Sequence, residues 1–187
     1  MSKIVIRDAR LAFPDVFEAV QYQGQGPFNY RATFLIEPNN PVKAKIDAAI
    51  KEVANAKWGA KATQILPGIL ANPQKCCFTD GNLKSYNGFP GNWALVATRS
   101  QESGMPVVVD RAKQPLSASS GKIYSGCWVN GTVEIWAQDN SFGKAIRATL
   151  VNLQFVKDGE SFGGAAPASA DGLDDLGFED GDDDDLL

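Results

Sequence analysis

The chain has 187 residues, 44% of them hydrophobic, with 18 Gly, 10 Pro and three Cys, a length that supports one domain with a real core rather than two. It contains no histidine, which removes the commonest general base and metal ligand and excludes Ser-His-Asp and Cys-His nucleophilic sites. The net charge of −4 hides a division: 13 of the 22 acids and all 18 Lys and Arg precede residue 171, leaving that part at +5 and residues 171–187 at −9. Such asymmetry points to a basic body that meets nucleic acid and an acidic interaction tail.

The N-terminus, Met1-Ser2-Lys3-Ile4, lacks the apolar core of a signal peptide, and no apolar run of about 18 residues is present. A cytoplasmic location with no membrane contact is the expectation. Residues 3–11 read as the first strand. The stretch Gly24-Gln25-Gly26-Pro27-Phe28-Asn29 begins like a phosphate loop but no helix follows, so it reads as a mobile loop. Residues 30–36 form a strand with Tyr30, Phe34 and Ile36 on one face. Asn40 is then a suitable N-cap and Pro41 a suitable first helical residue. Val42, Ile46, Ala49, Ile50 and Val53 follow at helical spacing, and the helix should end near Lys57-Trp58-Gly59. Its mixed charges mark a helix that packs on a sheet rather than one that reads DNA.

Cys76, Cys77 and Cys127 fit neither a disulfide framework nor a zinc site and read as reduced, buried thiols. Residues 81–92 form a polar, Gly-rich loop with two large aromatics, Tyr86 and Phe89, and one cation, Lys84. Residues 93–99 are a strand that Gln101-Glu102-Ser103-Gly104 turns into 106–109. Segments 123–129 and 132–137 flank Asn130-Gly131, a hairpin or bulge signal, and 139–143 turn into a last strand over 144–156. Six or seven strands with one packing helix predict a mainly β protein built as a closed barrel. The folded domain is placed at 1–160, a flexible linker of small residues at 161–170, and a disordered acidic tail at 171–187.

No Walker or Rossmann fingerprint occurs, and neither a cofactor nor a metal site is predicted. The body's acids are scattered, which disfavours a carboxylate-only metal nuclease. The 18 aromatics (ten Phe, four Tyr, four Trp) often stand beside cations, the combination that single-strand binders use: a basic groove with rings on which bases stack. The candidate DNA-binding residues are Tyr30, Arg31, Lys84, Tyr86, Phe89, Trp93, Arg99, Lys113, Lys122, Trp136, Lys144 and Arg147. Against this stand plainer roles: Tyr86 and Phe89 as loop anchors, Trp93, Trp128 and Trp136 as core residues, and Arg31, Arg99 and Arg147 as solvated strand cations.

Several stretches together resemble a bacteriophage family of single-stranded-DNA-binding proteins. They are 10–18 (Arg-Leu-Ala-Phe-Pro-Asp-Val-Phe-Glu), 30–36, the aspartate-glycine of Thr79-Asp80-Gly81, the block Ile123-Tyr124-Ser125-Gly126-Cys127-Trp128-Val129-Asn130, and the closing strand through Leu153-Gln154-Phe155-Val156-Lys157-Asp158-Gly159. The resemblance implies an OB-fold, closed or partly open, with a flexible acidic C-terminus, as in replication proteins of the T-odd phages. It implies sequence-independent binding of single-stranded DNA in phage replication, recombination and repair. It also implies a tail that contacts the replicative polymerase and primase-helicase. The tail residues this assigns are Asp174, Asp175, Phe178, Glu179, Asp180, Asp182, Asp183, Asp184, Asp185, Leu186 and Leu187; several relatives end in an aromatic residue where this chain ends in Leu187. Strand edges and tail are both compatible with a homodimer. The alternatives weighed are a strand-annealing recombination mediator, which would form large rings, and a phage structural or assembly protein, which would have no affinity for single strands.

Overall fold

Alternating burial drives the architecture: along residues 128–135 buried Val129, Gly131, Val133 and Ile135 alternate with half-buried neighbours, the signature of a strand with one face on a core. The computed structural model describes residues 1–162; the acidic tail and all but the first two residues of the predicted linker lie outside the described residues. Seven strands form one sheet: β1 (Ser2–Tyr22), β2 (Gln25–Ile36), β3 (Phe78–Asp80), β4 (Trp93–Ser100), β5 (Val107–Val109), β6 (Trp128–Asn140) and β7 (Gly143–Lys157). The order is β3-β4-β2-β1-β6-β7-β5, and a single parallel bridge, Thr98 with Thr149, joins β4 to β7. Five strands thereby close into a ring, β1-β2-β4-β7-β6. Numbered within the ring that is the order 1-2-3-5-4 of an OB-fold, closed at one point rather than along a full ladder.

Ile6, Leu11, Phe34, Ile36, Leu95, Ile135, Ile146, Leu150 and Leu153 fill the ring interior. Helix α1 (Val42–Trp58) lays Val42, Ile46, Ala49, Ile50 and Val53 onto this core and packs against β1 and β6. Asn40 does cap it: its Oδ1 accepts from the Val42 N–H at 3.0 Å. A second helix, α2 (Ala62–Leu70), joins the single one expected, after a 3₁₀ turn at Gly59–Lys61. Pro67 lies inside it and removes one backbone donor.

Two local expectations are corrected, and the hairpin-or-bulge reading of Asn130-Gly131 is narrowed to the bulge. The first strand runs to Tyr22, not residue 11. Bulges break its pairing between Ile6 and Ala9 and between Ala12 and Asp15, where Asp8 and Phe13 take left-handed φ values of 57° and 47°. The 24–29 stretch is not a loop: Gln23 and Gly24 make a tight turn, and Gln25 already pairs with Tyr22. Asn130-Gly131 is not a hairpin but lies within β6 beside a bulge. A β-carbon at Gly131 would stand 2.6 Å from the Phe34 ring, so the glycine makes room for that core side chain.

Candidate nucleic-acid interface

The outer face of β1, β2 and β4 is fixed by register. Cross-strand partners share a face, so three rows form: Arg10–Leu35–Ala94, Ala12–Thr33–Val96 and Asp15–Arg31–Thr98. The loop 81–92 folds back over the first rows. It is closed by Gly81 N–H to Asn92 O at 2.8 Å and by Gly91 N–H to Asn82 Oδ1 at 2.9 Å. Phe89 is its plug, 6% exposed and packed with Ala12, Leu35 and Ala94.

On this plug stand two open rings. Phe13 is 46% exposed and Tyr86 52% exposed, with centroids 5.0 Å apart in an edge-to-face pair. Phe89 supports both, at 6.0 Å from Phe13 and 5.4 Å from Tyr86. The bulge that strains Phe13 is held by its N–H donating to Ser125 Oγ at 3.0 Å. The rings, with Ala12, Ser85, Asn87, Ser125 and Phe162, line a cleft of about 280 Å³.

Charge enters the face through Arg31, whose buried Nε has no hydrogen-bond partner among the described residues. Asp15 lies across the ladder from it. Burial pushes the Asp15 carboxyl above the ordinary carboxylate range, and the Arg31 guanidinium opposes that rise. Lys84 is exposed in the loop, and Tyr30 is half-buried on β2 opposite Arg99.

The other predicted residues sit elsewhere or are engaged. Arg99 holds the 101–104 turn by donating to Gly104 O at 2.8 Å and Ser103 O at 2.9 Å. Trp93 packs on Phe78, and Lys43 of α1 covers its ring at 4.4 Å. Trp136 donates to Thr149 Oγ1 at 3.1 Å and lines a cleft against α1 with Val53, Ala56 and Lys57. Arg147 donates to Gln74 O at 2.9 Å, and Lys144 pairs with Asp139 at 3.3 Å. Lys113 and Lys122 are exposed on the long connection before β6, Lys113 in a turn organised by Asp110. The structure thus gathers Arg31, Lys84, Tyr86 and Phe89 around one face and leaves Trp93, Trp136, Lys144 and Arg147 near the helices. Phe13 is not among the candidate binding residues; it stands beside Pro14 in the 10–18 stretch that carries the family resemblance.

A five-strand OB ring whose outer face carries exposed aromatic rings and a cation has the parts that single-strand binders use, and among the described residues there is no group of three or more His, Cys, Asp or Glu that could hold a metal ion. The chain belongs to the family of the single-stranded-DNA-binding protein of Enterobacter phage Enc34, matching it over residues 2–187. That is a family of binding proteins, not enzymes. A protein of Acyrthosiphon pisum secondary endosymbiont phage 1, p50, is 44% identical over 176 residues, covering 93% of this chain and 94% of its own. Among solved structures, the Enc34 protein in complex with single-stranded DNA superposes with a TM-score of 0.71 at 24% identity, covering 86% of this chain and 89% of the other. The bacteriophage T7 single-stranded-DNA-binding protein gp2.5 has the same fold, with a TM-score of 0.55 at 15% identity and coverage of 95% and 97%.

Proposed function

We propose that this protein binds single-stranded DNA without sequence preference across the outer face of β1, β2 and β4, in the cytoplasm of the infected bacterial host. It would serve phage DNA replication, recombination and repair, with its acidic tail recruiting replication proteins such as the polymerase and primase-helicase. The observation that carries the reading is the pair of exposed rings, Phe13 and Tyr86, on the OB face whose rows also carry Arg31. Every base has a π-face, so stacking is tolerant of sequence and contributes roughly 1–3 kcal/mol per base. Arg31 adds a fixed positive charge to this face, and its terminal nitrogens, unlike the buried Nε, would be the atoms that meet a phosphate oxygen. No helix among the described residues is long and apolar enough to cross a membrane.

Fluorescence anisotropy with oligo-dT, oligo-dC, a mixed strand and a duplex tests the reading. The single strands are expected to bind alike and the duplex far more weakly. Log affinity should fall with log salt by about 0.7 per phosphate contacted. Equal affinity for duplex, or affinity indifferent to salt, would defeat it.

A further inference from the structure

The five residues after β7 are built into the body by contacts that converge on the aromatic cleft. The Tyr124 hydroxyl lies 2.9 Å from Asp158 Oδ1 and accepts from the Gly159 N–H at 3.0 Å. Arg10 donates from Nε to Gly126 O at 2.7 Å and from Nη2 to Glu160 O at 2.6 Å. The Phe162 N–H donates to Ser125 O at 3.1 Å, and the Phe162 carbonyl accepts from Asn87 Nδ2 at 3.2 Å. Arg10 also lies 4.3 Å from the Phe162 ring centroid and 5.3 Å from that of Trp128, clamped between two aromatics. Two glycines permit the approach: a β-carbon at Gly126 would collide with the Glu160 carbonyl, and one at Gly88 with the Phe162 ring.

A segment that merely finished the last strand could stop at Gly159, where the Tyr124 latch is complete. Instead the chain goes on to seat an aromatic ring against the 85–89 turn, in the wall of the cleft that holds Phe13 and Tyr86. Ser125 ties the two sides together, accepting from Phe13 through its Oγ and from Phe162 through its carbonyl.

We infer that residues 158–162 are a strap that completes the nucleic-acid site, with Phe162 forming the wall of a nucleobase cleft opposite Phe13 and Tyr86 and holding the 85–89 turn in its binding shape. This rests on the single-strand-binding reading above. It assigns Phe162 to the binding body, distinct from the acidic residues that follow it in the chain.

The test uses the full chain with two substitutions, Phe162→Leu and Phe162→Tyr, titrated with oligo-dT at several salt concentrations alongside the unaltered protein, with thermal unfolding of each. Leucine keeps an apolar filler but not the flat ring that walls the cleft and lies under Arg10; tyrosine keeps the ring. Phe162→Leu is expected to bind about tenfold more weakly at every salt concentration, with the salt slope unchanged and at most a small drop in thermal midpoint, because the ring that walls the cleft and holds the 85–89 turn, and not a phosphate contact, is lost. Phe162→Tyr should bind within about twofold of the unaltered protein. Phe162→Leu binding as well as or better than the unaltered protein, or Phe162→Tyr as weak as Phe162→Leu, overturns the strap while the single-strand reading stands. No binding of oligo-dT by the unaltered protein overturns both.

Discussion

Two pairs of side chains set the properties expected of the proposed interface. Phe13 and Tyr86 present their rings to solvent, whereas Phe89 beneath them is buried. Tyr86→Ala and Phe13→Ala should therefore each weaken oligo-dT binding by roughly 1–3 kcal/mol while leaving the thermal midpoint nearly unchanged. Phe89→Ala should instead cost about 3 kcal/mol of stability, as a cavity left under the loop. Anisotropy and thermal melts of the three variants separate the roles; a Tyr86 variant that melts early and binds normally would make Tyr86 an anchor. The second pair is Asp15 and Arg31. The folded Asp15 carboxyl holds its proton to a higher pH than an unfolded one. Its contribution to stability is therefore fully present below the ordinary carboxylate value and lost as pH rises through the raised value. The ionised carboxylate also repels the phosphate that Arg31 would receive. Single-strand affinity is expected to rise as pH falls through the raised titration range of Asp15. Asp15→Asn should flatten that profile and tighten neutral-pH binding by about 1 kcal/mol or less. Anisotropy titrations across pH check both.

Elements were legible where local signals agreed with the fold, and hidden where distant contacts set the backbone. Gly131 is an example with a measurable consequence. Within β6 it reads as a turn residue, yet it exists to admit the Phe34 ring. Gly131→Ala should cost roughly 1–3 kcal/mol by overpacking, read as a lower urea midpoint at unchanged slope. Helix α1 carried its own cap and apolar spacing and was read with its ends nearly in place. Helix α2 was missed because Pro67 and Gly68 are helix-breaking signals that tertiary packing of Ala62 and Ile69 overrides. In β1 the pairing with β2 shifts register between Ala12 and Asp15, Asp15 and Val20, and Gln21 and Tyr22, so the period-two pattern fades after residue 11. The site divides in the same way. Arg31, Lys84 and Tyr86 stood out because a cation or large ring in a polar setting is visible locally. Phe13 depends on Ser125, 112 residues away, and Phe162 on Asn87, 75 residues away; no window of sequence contains those pairs.

At the scale of the whole molecule, the charge division is expected to set up a competition between tail and DNA. Residues 171–187 carry nine acids and no base, joined to a body of net charge +5. Tethered acids act on that body at an effective concentration of about millimolar order, so even weak attraction to the DNA face counts. DNA and tail should therefore exclude one another, and bound DNA should leave the acids, with Leu173, Leu176, Phe178, Leu186 and Leu187 among them, available to a partner offering a basic and apolar pocket. A chain ended after Ala170 isolates this effect, because Tyr124, Arg10 and Ser125 keep their contacts to residues 158–162. The shortened chain should bind oligo-dT more tightly than the full chain. The gain should be largest at low salt and fade as the Debye length shrinks from about 30 Å at 0.01 M to about 8 Å at 0.15 M. The same cut should abolish pull-down of the phage polymerase while leaving the thermal midpoint unaltered. Equal low-salt affinity of the two chains, with equal pull-down, would reduce the tail to a device for solubility, since net charge alone keeps a protein from associating.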